Sequence, residues 1–194
     1  MCRVLLMTKD IKDLVKDFIN GDQEAFAELV RRYERKVYSL AFRMLGNHAD
    51  ADEVTQETFV RLYEQRENLR TVGYFTGFLL RIATNYTIDL LRKRSRYYLS
   101  LDDETEMTPP LQLELSMGAA GPDKEIEDDE LGVMIAQAID RLPPKQRMTL
   151  ILHDVEGFDK TEVAIAMGCP EATVRSNLHV ARAKMRKWLG KKLK

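Results

Sequence analysis

"FDKTEVAIAMGCPEATVRSNLHVARAKMRKW", residues 158–188, begins as a short helical pattern, stops at Gly168, turns through Cys169 and Pro170, and resumes as a longer one. In the longer part Val174, Leu178, Ala181, Met185 and Trp188 recur every three or four residues, which puts them on one face of a helix. The other side carries Arg175, Ser176, His179, Arg182 and Arg186. A short helix, a tight turn containing Gly and a longer basic helix make a helix-turn-helix. A helix that lies in the major groove needs donors to base edges near its start and cations further along to hold phosphates. Thr173, Arg175, Ser176 and His179 meet the first need; Arg182, Lys184, Arg186 and Lys187 meet the second. A solvated amphipathic helix would carry the same charges, and the turn ahead of this one favours DNA.

The basic end stands out because the 194-residue chain has a formal net charge of only -1. From Glu171 to Lys194 there are eight basic residues against one acid, whereas between Arg96 and Glu130 there are eleven acids and two bases. That acidic stretch also contains Pro109-Pro110 and "SMGAAGPD" and lacks apolar periodicity, so it reads as a flexible linker. It divides the chain into a tail (1–8), a helical block (9–98), the linker (99–127) and a second helical block (128–194). The fold class expected is therefore all-α, two small helical domains joined by an acidic linker, the second a helix-turn-helix. Fully extended, the linker reaches up to about 100 Å.

In the first block, Phe26, Leu29, Val30, Tyr33, Val37, Leu40, Ala41, Met44 and Leu45 follow a helical period between an N-cap at Asp22 and a stop at Gly46-Asn47. A second helix over about 49–64 turns Val54, Thr58 and Leu62 inward and puts Asp52, Glu53, Gln56 and Glu57 on an acidic, solvent-facing stripe. A third, starting near Tyr74, has an apolar stripe of Phe75, Phe78, Leu79, Ile82, Tyr86 and Leu90. Arg81, Asn85, Asp89, Arg92 and Arg96 line a different stripe, and Arg92-Lys93-Arg94 clusters near its end. That cluster suits a helix dipole, phosphate, or both. The second block opens with a helix bearing Leu131, Met134, Ile135, Ala138, Ile139 and Leu142, stopped by Pro143-Pro144.

With 44% hydrophobic residues the chain is too apolar to be disordered throughout. Cys2 and Cys169 form no disulfide framework or ligand cluster, and His48, His153 and His179 fall at no metal-ligand spacing, so neither metal nor other cofactor is expected. There is no phosphate-cradling Gly loop and no nucleophile motif, which points away from catalysis. No apolar run approaches a membrane span, and a reduced, cytoplasmic setting is expected.

Three stretches in order, "DQEAFAELVRRYERKVYSLAFRMLGNHADADEVTQETFVRLYE", "YFTGFLLRIATNYTIDLLRKRSR" and "LPPKQRMTLILHDVEGFDKTEVAIAMGCPEATVRSNLHVARAKMRKWL", closely resemble the extracytoplasmic-function class of bacterial sigma factors. The resemblance covers both blocks. It implies a subunit that binds core RNA polymerase and directs promoter-specific initiation, with an anti-sigma factor as a further partner. Under it Asp52, Glu53, Gln56 and Glu57 dock on the polymerase clamp. Tyr74, Asn85 and the loop from about Asn68 to Tyr74 capture an unpaired base of the minus-ten element, and Arg92, Lys93 and Arg94 hold nearby phosphates. Thr173, Arg175, Ser176, His179 and Arg182 read the minus-thirty-five element. The chain departs from the family in having Phe78 where Trp is usual, and Asn177 and Val180 where cations are common. A helix-turn-helix regulator that binds DNA without polymerase, and a helical adaptor that reads no DNA, are the rival readings.

Overall fold

The computed structural model describes residues 9–69, 74–101 and 130–192, with side chains placed outside 95–101 and Glu130. All its regular elements are helical. Helix α1 (Ile11–Ile19) inserts Leu14, Val15 and Phe18 into the core. Helix α2 (Gln23–Leu45) starts where the Asp22 carboxylate accepts from the Glu24 and Ala25 N–H groups, and ends at Gly46, whose φ of 74° is the left-handed conformation that glycine adopts without strain. Asn47 then caps α3 (His48–Glu64) through the Asp50 N–H. A 3₁₀ turn (Arg66–Asn68) follows, and after it comes α4 (Phe75–Leu101).

Helix α4 runs past residue 98, where the sequence pattern placed the end of the first block. The charged stretch Arg92 to Arg96 has good helix propensity and continues the turn without an apolar stripe. The expected linker beyond Leu101 lies outside the described residues.

The second block comprises α5 (Glu130–Asp140), α6 (Pro144–Leu150), a π-helical turn (Ile151–Val155), α7 (Lys160–Met167) and α8 (Glu171–Lys192). Pro144 does more than stop the preceding helix: it occupies the first turn of α6, where a missing N–H costs nothing. A capping box starts α7, with Asp159 accepting from the Glu162 N–H and the Glu162 carboxylate accepting in return from the Asp159 N–H. Gly168, at φ 60°, closes it. On α5 Ala138 is buried and Ile139 packs against the core, while Leu131 and Ile135 are 42% and 37% exposed.

The two blocks pack against each other through α4 and α7, and one cluster of buried side chains runs from Leu29 and Leu79 in the first to Val163 and Leu178 in the second. Gly77 faces Ile165 across this contact: a Cβ there would stand 2.7 Å from Ile165 Cγ2. Around this seam the Ser39 hydroxyl donates to Glu156 Oε1 at 2.9 Å, Arg43 Nε lies 3.3 Å from the same oxygen, and Lys36 sits 5.4 Å from the Phe158 ring centroid. Half-buried Arg147 donates to the Arg43 carbonyl and pairs with Asp140 at 2.6 Å; burial pulls its pKa down against that pairing.

Candidate nucleic-acid interface

Ala51, Val54, Thr58 and Leu62 anchor α3 in the core, and the helical period then leaves Asp52, Glu53 and Gln56 exposed with Glu57 half-exposed. The stripe is tied to its surroundings at several points. Tyr86 Oη, on α4, donates to Glu53 Oε1 at 2.6 Å. Arg61 pairs with Glu57 at 2.7 Å and places its guanidinium 4.7 Å from the centroid of the Tyr86 ring. Arg94 pairs with Asp50 one turn N-terminal of Glu53 and Val54. The bond to Glu53, then burial, pushes the Tyr86 phenol up to about 12. At the other end of α3, His48 stacks on Phe42 at 4.6 Å and shares a hydrogen bond with Tyr38, whose phenol is raised by burial and by the Asp52 charge.

On α4, the side opposite the core carries Arg81, Asn85 and Asp89, all exposed. Tyr74, just ahead of the helix, is 57% exposed, while its neighbour Phe75 is buried edge-on against Tyr33. Phe78 is half-buried against the core. Arg92 and Lys93 are exposed and Arg92 lies 3.6 Å from Asp89; Arg94 is the member of the trio turned back toward α3. Of the loop expected to capture a base, residues 70–73 lie outside the described residues.

On α8, Val174, Leu178 and Ala181 are buried, which leaves Thr173, Arg175, Ser176 and His179 exposed along the first turns. Arg175 pairs with Glu171 at 2.9 Å, an exposed contact on its own helix. Arg182 instead forks onto Asp154 of the π-helical turn at 2.9 and 2.5 Å, and that hydrogen bonding raises its pKa. Lys184 donates to Gln146 at 3.0 Å. Asn177 is turned toward Thr149 of α6, at 3.5 Å, so the missing cation there belongs to a position that faces the fold. Val180 is 37% exposed. Trp188 is flanked by Arg141 at 5.2 Å and Lys192 at 5.7 Å.

The structure thus brings the core-docking candidates and the minus-ten candidates other than Tyr74 onto adjacent helices, with Tyr74 just ahead of α4, and places the minus-thirty-five candidates on α8. Sequence reasoning did not single out Asp50, Arg61 or the polar end of Tyr86. Tyr86 sits in an apolar stripe, and its hydroxyl partner is 33 positions away. Among the described residues no group of three His, Cys, Asp or Glu side chains is placed to hold a metal ion, and no helix is long and apolar enough to cross a membrane.

Two family models match the chain, Sigma-70 region 2 over residues 29–97 and Sigma-70, region 4 over residues 132–185. Among similar proteins, the ECF RNA polymerase sigma factor SigW of Bacillus subtilis is 36% identical over 181 residues, 92% of this chain and 96% of that protein. The ECF RNA polymerase sigma factor SigE of Mycolicibacterium smegmatis is 36% identical over 175 residues, and the match spans 88% of this chain and 65% of that longer protein. Among solved structures, CnrH in complex with the cytosolic domain of CnrY has a TM-score of 0.66 at 24% identity, covering 93% of this chain and 98% of that one. RpoE in complex with the anti-sigma factor NepR from Bartonella quintana has a TM-score of 0.63 at 21% identity, covering 85% and 96%.

Proposed function

The chain belongs to the extracytoplasmic-function class of sigma-70 RNA polymerase sigma factors, and from that premise we propose that it binds core RNA polymerase through α3, opens the minus-ten element with α4 and reads the minus-thirty-five element with α8. The observation that carries this reading is the division of surfaces. One block presents an acidic stripe and a polar, partly basic stripe on adjacent helices, and the other presents a basic helix-turn-helix. A DNA-only regulator has no use for the first pair, and an adaptor has no use for the second.

Asp52, Glu53 and Glu57 supply charge complementarity to a basic clamp surface, and Gln56 adds a neutral hydrogen-bonding amide among them. Asn85 can donate and accept at once, which suits the edge of an extruded base; Tyr74 offers a ring for stacking, and Arg92, Lys93 and Arg94 the cations for phosphate. The promoter is thereby recognised and melted, and the bond-making chemistry stays with the polymerase, so the chain works as a cytoplasmic initiation factor without a reaction of its own. RpoE of B. quintana is seen with an anti-sigma factor, and a restraining partner of that kind fits this chain as well. The acidic stretch between the blocks serves by length and charge, repelling the duplex and leaving nucleic-acid contacts to the basic surfaces.

Reversing two charges at the docking face tests the reading. Asp52→Lys combined with Glu53→Lys creates like-charge contacts and should abolish co-purification with core polymerase while the circular dichroism spectrum is unchanged. Undiminished co-purification would remove α3 from the interface.

A further inference from the structure

The four-residue chain of contacts between α3 and α4 has a direction to it. Glu57 holds Arg61 at 2.7 Å; the Arg61 guanidinium lies over the Tyr86 ring, 4.7 Å from its centroid; and the Tyr86 hydroxyl, at the end of that ring, donates to Glu53 at 2.6 Å. Each contact leaves the next with fewer rotamers. A phenol has only two rotatable side-chain bonds, and with its face covered by a guanidinium and its body packed against the core it becomes a rigid post. Glu53 itself is exposed, and an exposed glutamate otherwise samples many rotamers.

We propose that Tyr86 is a positioning residue for polymerase docking, holding the Glu53 carboxylate in the conformation that meets a basic group of the polymerase. This rests on the reading that Glu53 touches core. One oxygen, Oε1, takes the phenol, and the other keeps its lone pairs for a partner's arginine or lysine. The gain is pre-organisation: the rotamer entropy of one long side chain is lost on folding and need not be lost on binding. Tyr86 is also the residue after Asn85 on α4, so the helix that faces the minus-ten element is the one that orients the docking carboxylate. Arg94, further along α4 and paired with Asp50, ties the same two helices a second time.

The test is a cycle of Tyr86→Phe, Glu53→Ala and the double variant, each titrated against core polymerase by fluorescence anisotropy, with thermal unfolding of each free chain recorded alongside. Phenylalanine keeps the ring, its packing and the Arg61 contact, and removes only the hydroxyl. Tyr86→Phe is expected to weaken core affinity about three- to tenfold at unchanged midpoint temperature, and to have no further effect once Glu53 is alanine. If Tyr86→Phe weakens both backgrounds alike, or neither, Tyr86 does not act through Glu53 and the inference is overturned. If Glu53→Ala alone leaves affinity unchanged, the assignment of Glu53 to the docking face fails first, and the positioning role falls with it.

Discussion

Arg175 and Arg182 stand two turns apart on α8 and are held very differently. Arg175 is tied to Glu171 in an exposed pair on its own helix, a contact worth about a few tenths of a kcal/mol that a base edge easily displaces. Arg182 forks onto Asp154 and so fastens α8 to the turn behind it. Arg175→Ala should therefore weaken binding to a matched upstream element by about 1–3 kcal/mol and leave scrambled DNA nearly unaffected. Arg182→Ala should lower binding to both sequences alike and also lower the melting temperature. Footprinting holoenzyme on matched and scrambled elements separates the two, and equal losses for Arg175→Ala would make it a phosphate contact. For Asn85→Ala the expected defect is in strand opening, read by permanganate reactivity, with closed-complex affinity retained. Positions such as Asn85 and Arg175 were legible because helical period alone turns them away from apolar neighbours. The inward turn of Asn177 toward Thr149 was not, since a polar residue at the margin of a stripe can face either way.

The helices themselves were readable wherever a cap residue and a period coincided, as at Asp22 and Gly46 around α2 or Gly168 after α7. Helix α1 was not singled out, and the π-helical turn escaped because nothing in "ILHDV" announces the wider winding. The caps carry their own consequence: Asp159→Ala removes one half of the capping box and should cost about 1 kcal/mol, read as a lowered denaturant midpoint. Buried Glu28 of α2 is a second test at this scale. It accepts from Arg32 at 2.8 Å and pairs with Arg31 at 2.9 Å, and hydrogen bonding to Arg32 in particular holds its carboxyl below the usual carboxylate range. A depressed folded pKa contributes stability that is complete above the ordinary glutamate pKa and is lost as pH falls through the lower folded value. Glu28→Gln should destabilise the chain at neutral pH by about 2 kcal/mol, and the gap to wild type should close in acid. A gap that stays constant with pH would mean the ion pairs contribute nothing.

For the whole molecule, the sequence announced two blocks and an acidic divider but not that the blocks share buried side chains, because a contact between α4 and α7 joins faces that each look like local core. Gly77 is the residue that permits it. Alanine is a better helix former than glycine by about 0.5–1 kcal/mol, so Gly77→Ala would stabilise α4 if the seam were absent. With Ile165 only 2.7 Å from the added Cβ, the substitution should instead destabilise the chain and increase its radius of gyration in small-angle scattering. A more stable, equally compact variant would show that the blocks do not meet there. At this scale the chain gives core polymerase a promoter rather than binding DNA for itself. The most direct measurement is run-off transcription from a promoter mapped by inducing the chain in its host, with core polymerase alone, the chain alone and both together, and footprints of the same mixtures. A specific transcript and a two-part footprint should appear only in the mixture; a specific footprint from the chain alone, with no transcript when core is added, would contradict the claim.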